Sequence, residues 1–223
     1  MGDLVLHHLS ASRSKRMLWF LEELGVPYKV KAYMRVNGRA PPELELVHPL
    51  GKSPVITDGG VVVAESGNII QHLLETRDAA RALQPATEDA AGRAALRFFL
   101  HYAEGSVMPI LLMHFVLGKV VDGTPWLGRP VTRAVRDAVY GAFAGPEMDK
   151  HAAFLEGVLG KSAFLAGDRF TAADVQMHGA VEGLLEDPKR AAASPRLKAY
   201  SELLKQRPAY VRAAARDKEL EVK

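Results

Sequence analysis

A mixed α/β domain followed by an all-helical domain is the fold class this sequence predicts. Over roughly the first eighty residues short β-branched runs alternate with helical periodicity, and beyond Gln84-Pro85-Ala86-Thr87 one amphipathic segment follows another. Size and composition allow it. With 223 residues, 48% apolar and 25% charged, the chain can bury a substantial core in one or two domains, and whole-chain disorder is excluded.

Residues 4–7 read as a short strand. Residues 15–24 carry apolar side chains at Met17, Leu18, Phe20, Leu21 and Leu24, a helical period that Gly25-Val26-Pro27 stops. Residues 28–33 set Lys29 and Lys31 opposite Tyr28 and Val30, so a second strand completes a parallel β-α-β unit. After a loop containing Gly38, Pro41 and Pro42, residues 53–57 and 61–64 form two strands joined by Asp58-Gly59-Gly60, a hairpin turn signal. From Glu65 the period is helical again, with Ile69, Ile70, Leu73 and Leu74 on one side. This order of β-α-β, connection and β-β-α is that of the thioredoxin fold. Residues 88–118, 131–159, 172–186 and 195–215 read as amphipathic helices, punctuated by Gly123-Thr124-Pro125, Gly160 and Asp187-Pro188.

The chain holds no cysteine. Disulfides, thiolate metal sites and a cysteine nucleophile are thereby excluded, and any thiol chemistry needs a thiol from outside. Met1-Gly2-Asp3-Leu4-Val5-Leu6 lacks the basic and long apolar regions of an export signal. The longest apolar stretch, residues 108–117, is broken by His114 and falls short of the roughly 20 residues that span a bilayer. The expectation is a soluble, cytoplasmic protein without a membrane partner. A pI of about 9.1 invites a nucleic-acid reading, but 29 basic residues scattered among 26 acidic ones describe solvated helix faces, so no nucleic-acid partner is expected.

Several motif matches lack their structural context. Gly51-Lys52-Ser53 resembles the end of a phosphate loop, yet Leu46 stands where a glycine is required and Pro54 blocks the following helix. Ser12-Arg13-Ser14-Lys15 has the spacing of a serine–lysine nucleophile without that group's companion motifs. The eight histidines show no i, i+4 pair with a base between, so no metal is expected, and His7-His8 at a strand end reads as structural.

Three clusters carry more chemistry. In the turn before the first helix, Arg13, Lys15 and Arg16 sit where the helix already carries partial positive charge, an excess that suggests a bound anion. A serine hydroxyl there can donate to an external thiolate and lower its pKa, or simply cap the helix. In the second cluster, Lys52-Ser53-Pro54-Val55, the proline opens a strand and suits a cis peptide bond. In the third, Glu65-Ser66-Gly67-Asn68, a helix N-terminus and the Ser66 hydroxyl can hold a carboxylate while Glu65 faces an ammonium group, a fit to an α-amino acid head; ordinary helix capping is the alternative.

Together with the residues around them, these clusters resemble the cytosolic glutathione S-transferase family in a serine-type bacterial or fungal form. The resemblance rests on Ser12 to Arg16 leading into Met17-Leu18-Trp19-Phe20-Leu21-Glu22-Glu23-Leu24-Gly25-Val26-Pro27-Tyr28, on His48-Pro49-Leu50-Gly51-Lys52-Ser53-Pro54-Val55-Ile56, and on Glu65-Ser66-Gly67-Asn68-Ile69-Ile70. A fourth match, Phe164 to Asp174, resembles the family's buried capping box, Thr171 capping and Asp174 reciprocating. The resemblance implies a thioredoxin-like glutathione-binding domain at 1–82 and an all-helical electrophile-binding domain at 88–223.

It further implies that the Ser53 backbone, beside cis-Pro54, meets the cysteinyl unit of glutathione, that Glu65 and Ser66 hold the γ-glutamyl head, and that Lys52 reaches a carboxylate or backbone group. Four residues before Arg16, Ser12 is the best match to the activating serine, with Ser10 and Ser14 close enough to leave the choice open. No tyrosine precedes Tyr28, a poor match to tyrosine-activated classes, and cysteine-type exchange is excluded. Glutathione would serve as co-substrate with no cofactor. The small hydrophobic electrophile would sit against residues 101–109, with Tyr102, Ser106 and Met113 as pocket residues; for Tyr102 and Met113 core packing is the alternative. Detoxifying conjugation or hydroperoxide reduction by a homodimer joined through residues 65–118 is the implied activity. A non-catalytic ligand carrier or scaffold, and a glutathione-dependent isomerase or β-etherase, are the alternatives.

Overall fold

The computed structural model describes residues 2–221. β1 (Leu4–Leu9), α1 (Ser14–Leu24) and β2 (Lys29–Tyr33) form the β-α-β unit, with parallel strands and Leu6 opposite Val30. β3 (Val55–Asp58) runs antiparallel to β1, and β4 (Val61–Ala64) antiparallel to β3, so the four-stranded mixed sheet has the order β2-β1-β3-β4. Gly59 and Gly60 take φ of 57° and 91° in the two-residue turn, where a side chain would add strain. α2 (Ser66–Thr76) packs back onto β3, β4 and α1. This is the thioredoxin-like order read from the sequence.

The rest is helical: α3 (Ala90–Tyr102), α4 (Met108–Gly123), α5 (Arg129–Val139), α6 (Gly145–Leu159), α7 (Ala172–Leu185), α8 (Pro188–Ala193), α9 (Pro195–Lys205) and α10 (Pro208–Glu221). Its boundaries depart from the sequence reading in three places. α3 and α4 are one continuous run from 90 to 123, interrupted by a π turn at Ala103–Val107, and a second π turn, Tyr140–Ala144, joins α5 to α6. The expected single helix over 195–215 is two, because Pro208 lacks an N–H and disfavours helical backbone at Arg207. Asp187-Pro188 does more than break the chain: the Asp187 carboxylate caps α8 by accepting from the Lys189 and Arg190 amides.

By length and composition alone the 34-residue run from Ala90 to Gly123 is apolar enough to cross a membrane, a test that core helices also pass. In this fold it lies along the helical half, α3 on α7 and α4 on α5, leaving Phe98, Leu112, Phe115, Val116 and Val120 exposed.

One buried cluster runs through the whole molecule, from Leu6, Phe20 and Ile56 to Val107, Met148, Val181 and Leu204. α1 is its shared wall, packing on β1 and α2 on one side and on α7 and α10 on the other. Charge pairs clamp that second side: Arg207 donates to both Glu23 oxygens at 2.6 and 2.8 Å, and Arg212 donates to Glu22 at 2.8 Å. The Arg207 guanidinium also lies 3.5 Å from the Phe170 ring centroid. At the start of α7 the capping box forms as read from the sequence, with Thr171 accepting from Ala173 and Asp174 accepting from the Thr171 amide.

Candidate active site

The turn after β1, the entry to β3 and the exit from β4 meet at one end of the sheet. Register brings this about, because His7 pairs with Val55 and Val55 with Ala64, which sets residues 12, 53–54 and 65–66 side by side. Ser12 Oγ lies 3.5 Å from Ser53 Oγ, and Ser53 Oγ donates to the His7 carbonyl at 3.1 Å. The Ser53-Pro54 bond is cis. Arg35 fixes the turn from behind, donating to the carbonyls of Ser10 and Ala11 at 3.1 and 3.2 Å.

The three serines that the sequence left open are placed differently. Ser10 is 8% exposed and Ser14 is fully buried, whereas Ser12 is half-buried and lines a cavity of about 660 Å³. Lys52 is exposed beside Ser53. Glu65 stands at the N-cap of α2 with φ 71° and ψ 127°, a conformation that costs a non-glycine residue roughly 1–3 kcal/mol. Its exposed carboxylate makes no side-chain cap bond, and the buried Ser66 follows it under the open amides of the first turn.

The cations of the α1 turn require a correction. Arg13 and Arg16 both pair with Glu104, at 3.1 and 2.8 Å, Arg16 also donates to Gln176 at 2.9 Å, and Lys15 pairs with Asp217 at 2.7 Å. The anions that the charge excess called for come from the protein itself, one from the π turn after α3 and one from α10. A π turn displaces one side chain around the helix. Here the displaced turn carries Glu104.

The second-substrate residues are also placed elsewhere than expected. Tyr102 donates to or accepts from His151 at 2.5 Å and sits among Phe98, Phe99 and Phe154 in an aromatic cluster, Met113 packs on the core, and neither they nor Ser106 line the cavity beside Ser12. Of residues 101–109 only Met108 lines it, facing Val175, His178, Tyr210 and Ala213 from α7 and α10. Met108, Gly179 and Glu182 also border a second cavity of about 970 Å³ that continues along α4. Helical spacing in the sequence marks these α7 and α10 residues only as core, since their pairing with α1 spans most of the chain.

His178 stacks edge-on against Trp19 and Tyr210 at 5.2 and 5.1 Å. Burial pushes it down to about 4, Glu182 opposing and the Lys205 and Arg16 cations reinforcing the shift. It is therefore a neutral wall of the cavity at physiological pH. Burial also lowers His7 and His151. The unfolded chain takes up these protons near pH 6.5 and the folded chain only at lower pH, so stability falls as pH drops below that value. Urea unfolding at pH 7 and pH 5 checks this, and an unchanged or higher midpoint at pH 5 would contradict it.

Comparison with known proteins identifies the family. Residues 6–81 match the family profile described as Glutathione S-transferase, N-terminal domain, and residues 135–211 match Glutathione S-transferase, C-terminal domain. Glutathione S-transferase 3 of Schizosaccharomyces pombe is 39% identical over 174 residues, covering 78% of this chain and 71% of its own. The crystal structure of a glutathione S-transferase from Actinobacillus pleuropneumoniae aligns with a TM-score of 0.75 at 30% identity, over 96% of this chain and 93% of that one. A theta class glutathione S-transferase from Xanthomonas axonopodis pv. citri, solved with glutathione bound, aligns with a TM-score of 0.74 at 26% identity, over 96% and 97% of the two chains. This chain belongs to the glutathione S-transferase family.

Proposed function

We propose that the protein binds glutathione as its thiolate and delivers the sulfur to small hydrophobic electrophiles held in the cavity between α1, α4, α7 and α10. The observation that carries this reading is the meeting of Ser12, Ser53 beside Pro54, and the strained Glu65 with Ser66 at one sheet end, with Ser12 itself lining that cavity. In this assignment Ser12 donates to the sulfur, the Ser53 backbone aligns the cysteinyl unit, Glu65 and Ser66 hold the γ-glutamyl head, and Lys52 pairs with a carboxylate. Residues 1–82 bind the tripeptide and 88–223 the electrophile. Organic hydroperoxides, whose O–O bond a thiolate attacks, fall within the same chemistry.

Ultraviolet difference titration of the glutathione complex tests the reading. With no cysteine in the chain, any thiolate band belongs to the ligand. A bound thiol ionising well below its free value of about 8.5 is expected. Binding without that shift would favour a carrier, and no binding would remove the reading.

The exposed apolar side chains of α3 and α4 support a homodimer through residues 65–118, an interface on the order of 1,600 Å² if stable. Sedimentation equilibrium is expected to give twice the chain mass of 24.3 kDa. A monomer at micromolar concentration would dismiss the dimer.

A further inference from the structure

Behind Ser12 a chain of polar atoms leads into the protein. Ser12 Oγ lies 2.8 Å from Ser14 Oγ, and Ser14 Oγ lies 2.9 Å from His8 Nδ1. On the far side of the ring, His8 Nε2 is 3.3 Å from Asp217 Oδ1, whose other oxygen holds Lys15 at 2.7 Å. Ser14, His8 and Asp217 are buried, with exposures of 0%, 1% and 6%, whereas Ser12 reaches the cavity. Residues from β1, α1 and α10 thus connect the open site to a buried imidazole facing a carboxylate.

The Ser14 hydroxyl has two acceptors in reach, His8 Nδ1 at 2.9 Å and the Leu9 carbonyl at 3.2 Å, and the shorter contact gives the resting chain its direction. Asp217 Oδ1 stands within ion-pair range of Nε2 without hydrogen-bond geometry to it, and its charge favours the tautomer with the proton there, which leaves Nδ1 to accept from the Ser14 hydroxyl. Ser14 Oγ also accepts from the Leu9 amide at 3.2 Å, and its remaining lone pair takes the Ser12 hydroxyl. Ser12 Oγ accepts from the Ser14 amide at 3.2 Å. Its last lone pair is left for the cavity side, where it can receive a proton.

We propose that Ser12, Ser14 and His8 form a proton relay that takes the thiol proton of bound glutathione, with Asp217 supporting the imidazolium that results. The proposal rests on Ser12 being the partner of the thiol. The sulfur gives its proton to Ser12 Oγ, the Ser12 hydroxyl proton moves to Ser14 Oγ, and the Ser14 hydroxyl proton moves to His8 Nδ1. No proton is gained or lost by the complex. Every hydrogen bond then points the other way, so that His8 donates to Ser14, Ser14 to Ser12, and Ser12 to the thiolate.

Charge explains why the proton stays inside. Asp217 already faces the Lys15 ammonium, and in the relay the imidazolium forms against the same carboxylate as the thiolate forms at the site, so the transfer changes no net charge. Losing the proton to solvent would instead leave one negative charge at the site without a new partner. Once the sulfur has bonded to the electrophile, the proton returns along the same chain to the leaving-group anion or to water. Ser14, His8 and Asp217 are accordingly positioning residues, since Ser12 alone touches the sulfur.

Counting thiolates against protons tests the relay. Ultraviolet difference spectra at neutral pH give thiolate formed per site, and calorimetric titration with glutathione in buffers of different ionisation enthalpy gives protons released per site. S-Methylglutathione, which has no thiol proton, sets the background. The wild-type protein is expected to form at least twice as many thiolates as it releases protons, whereas Ser14→Ala and Asp217→Asn form fewer thiolates and release one proton for each. Equal counts in the wild type would overturn the relay and leave Ser12 as a simple donor. Bound glutathione without a thiolate band would overturn the Ser12 assignment, and the relay with it.

Discussion

Asp174→Ala is expected to cost about 4 kcal/mol of folding stability, read as a lower urea midpoint with an unchanged slope. The carboxylate is fully buried and accepts from the amides of Leu165 and Thr171 at 3.0 and 2.7 Å, and from the hydroxyls of Thr171 and Tyr200 at 3.3 and 2.7 Å. Alanine removes the acceptor and leaves those donors in an apolar interior, where each unsatisfied group costs roughly 1–3 kcal/mol unless the site relaxes. Because Tyr200 lies on α9 and Leu165 precedes α7, the loss is not confined to one cap. Asp174→Asn, which keeps one carbonyl acceptor, is expected to lose less. A cost below about 1 kcal/mol for alanine would show that water or side-chain movement satisfies the orphaned donors.

Ser12→Ala is expected to lower kcat/KM for conjugation by about 10²–10³-fold, the range seen when a single preorganised donor to a developing anion is removed. Glutathione affinity should stay within a few-fold, because the remaining proposed contacts, Ser53, Glu65 and Ser66, are untouched. The pKa of the bound thiol should rise, since the thiolate alone gains from that donor. Folding should change little: Ser12 is half-buried in a turn, and alanine removes only its bonds to Ser14 and Ser53. An unchanged pKa would transfer the role to the Ser14 amide or to Ser53.

What the sequence shows of the fold is its local physics. The β-α-β and β-β-α order, the Asp58-Gly59-Gly60 hairpin and the Thr171–Asp174 box are written in neighbouring residues, and each forms as read. The break before Pro208 was not read, because helical periodicity on both sides of it passed for one helix. Other features depend on distant partners. Glu104 meets Arg13 and Arg16 from the other domain, Asp217 meets Lys15 and His8 from near the far end of the chain, and no spacing rule reports such pairs. The same distance hid the wall of the cavity beside Ser12, which His178, Tyr210 and Ala213 line and Tyr102, Ser106 and Met113 do not. His8 read as a structural strand residue, since its serine neighbour lies in the next element.

The shared wall formed by α1 bears on how such chains diverge and recombine. Substitutions at Met108, Val175 or Ala213 alter the cavity without touching the charge clamp, so the cavity can drift residue by residue. Exchanging a whole helical half at the connection before α3 is a different matter, because Glu22, Glu23 and Arg16 would have to find new partners for Arg212, Arg207 and Glu104 in one step. Viable chimeras are therefore those that carry α1 together with α10 and the π turn after α3, and the unit of inheritance in this chain is the packed interface, not the stretch of sequence on either side of it.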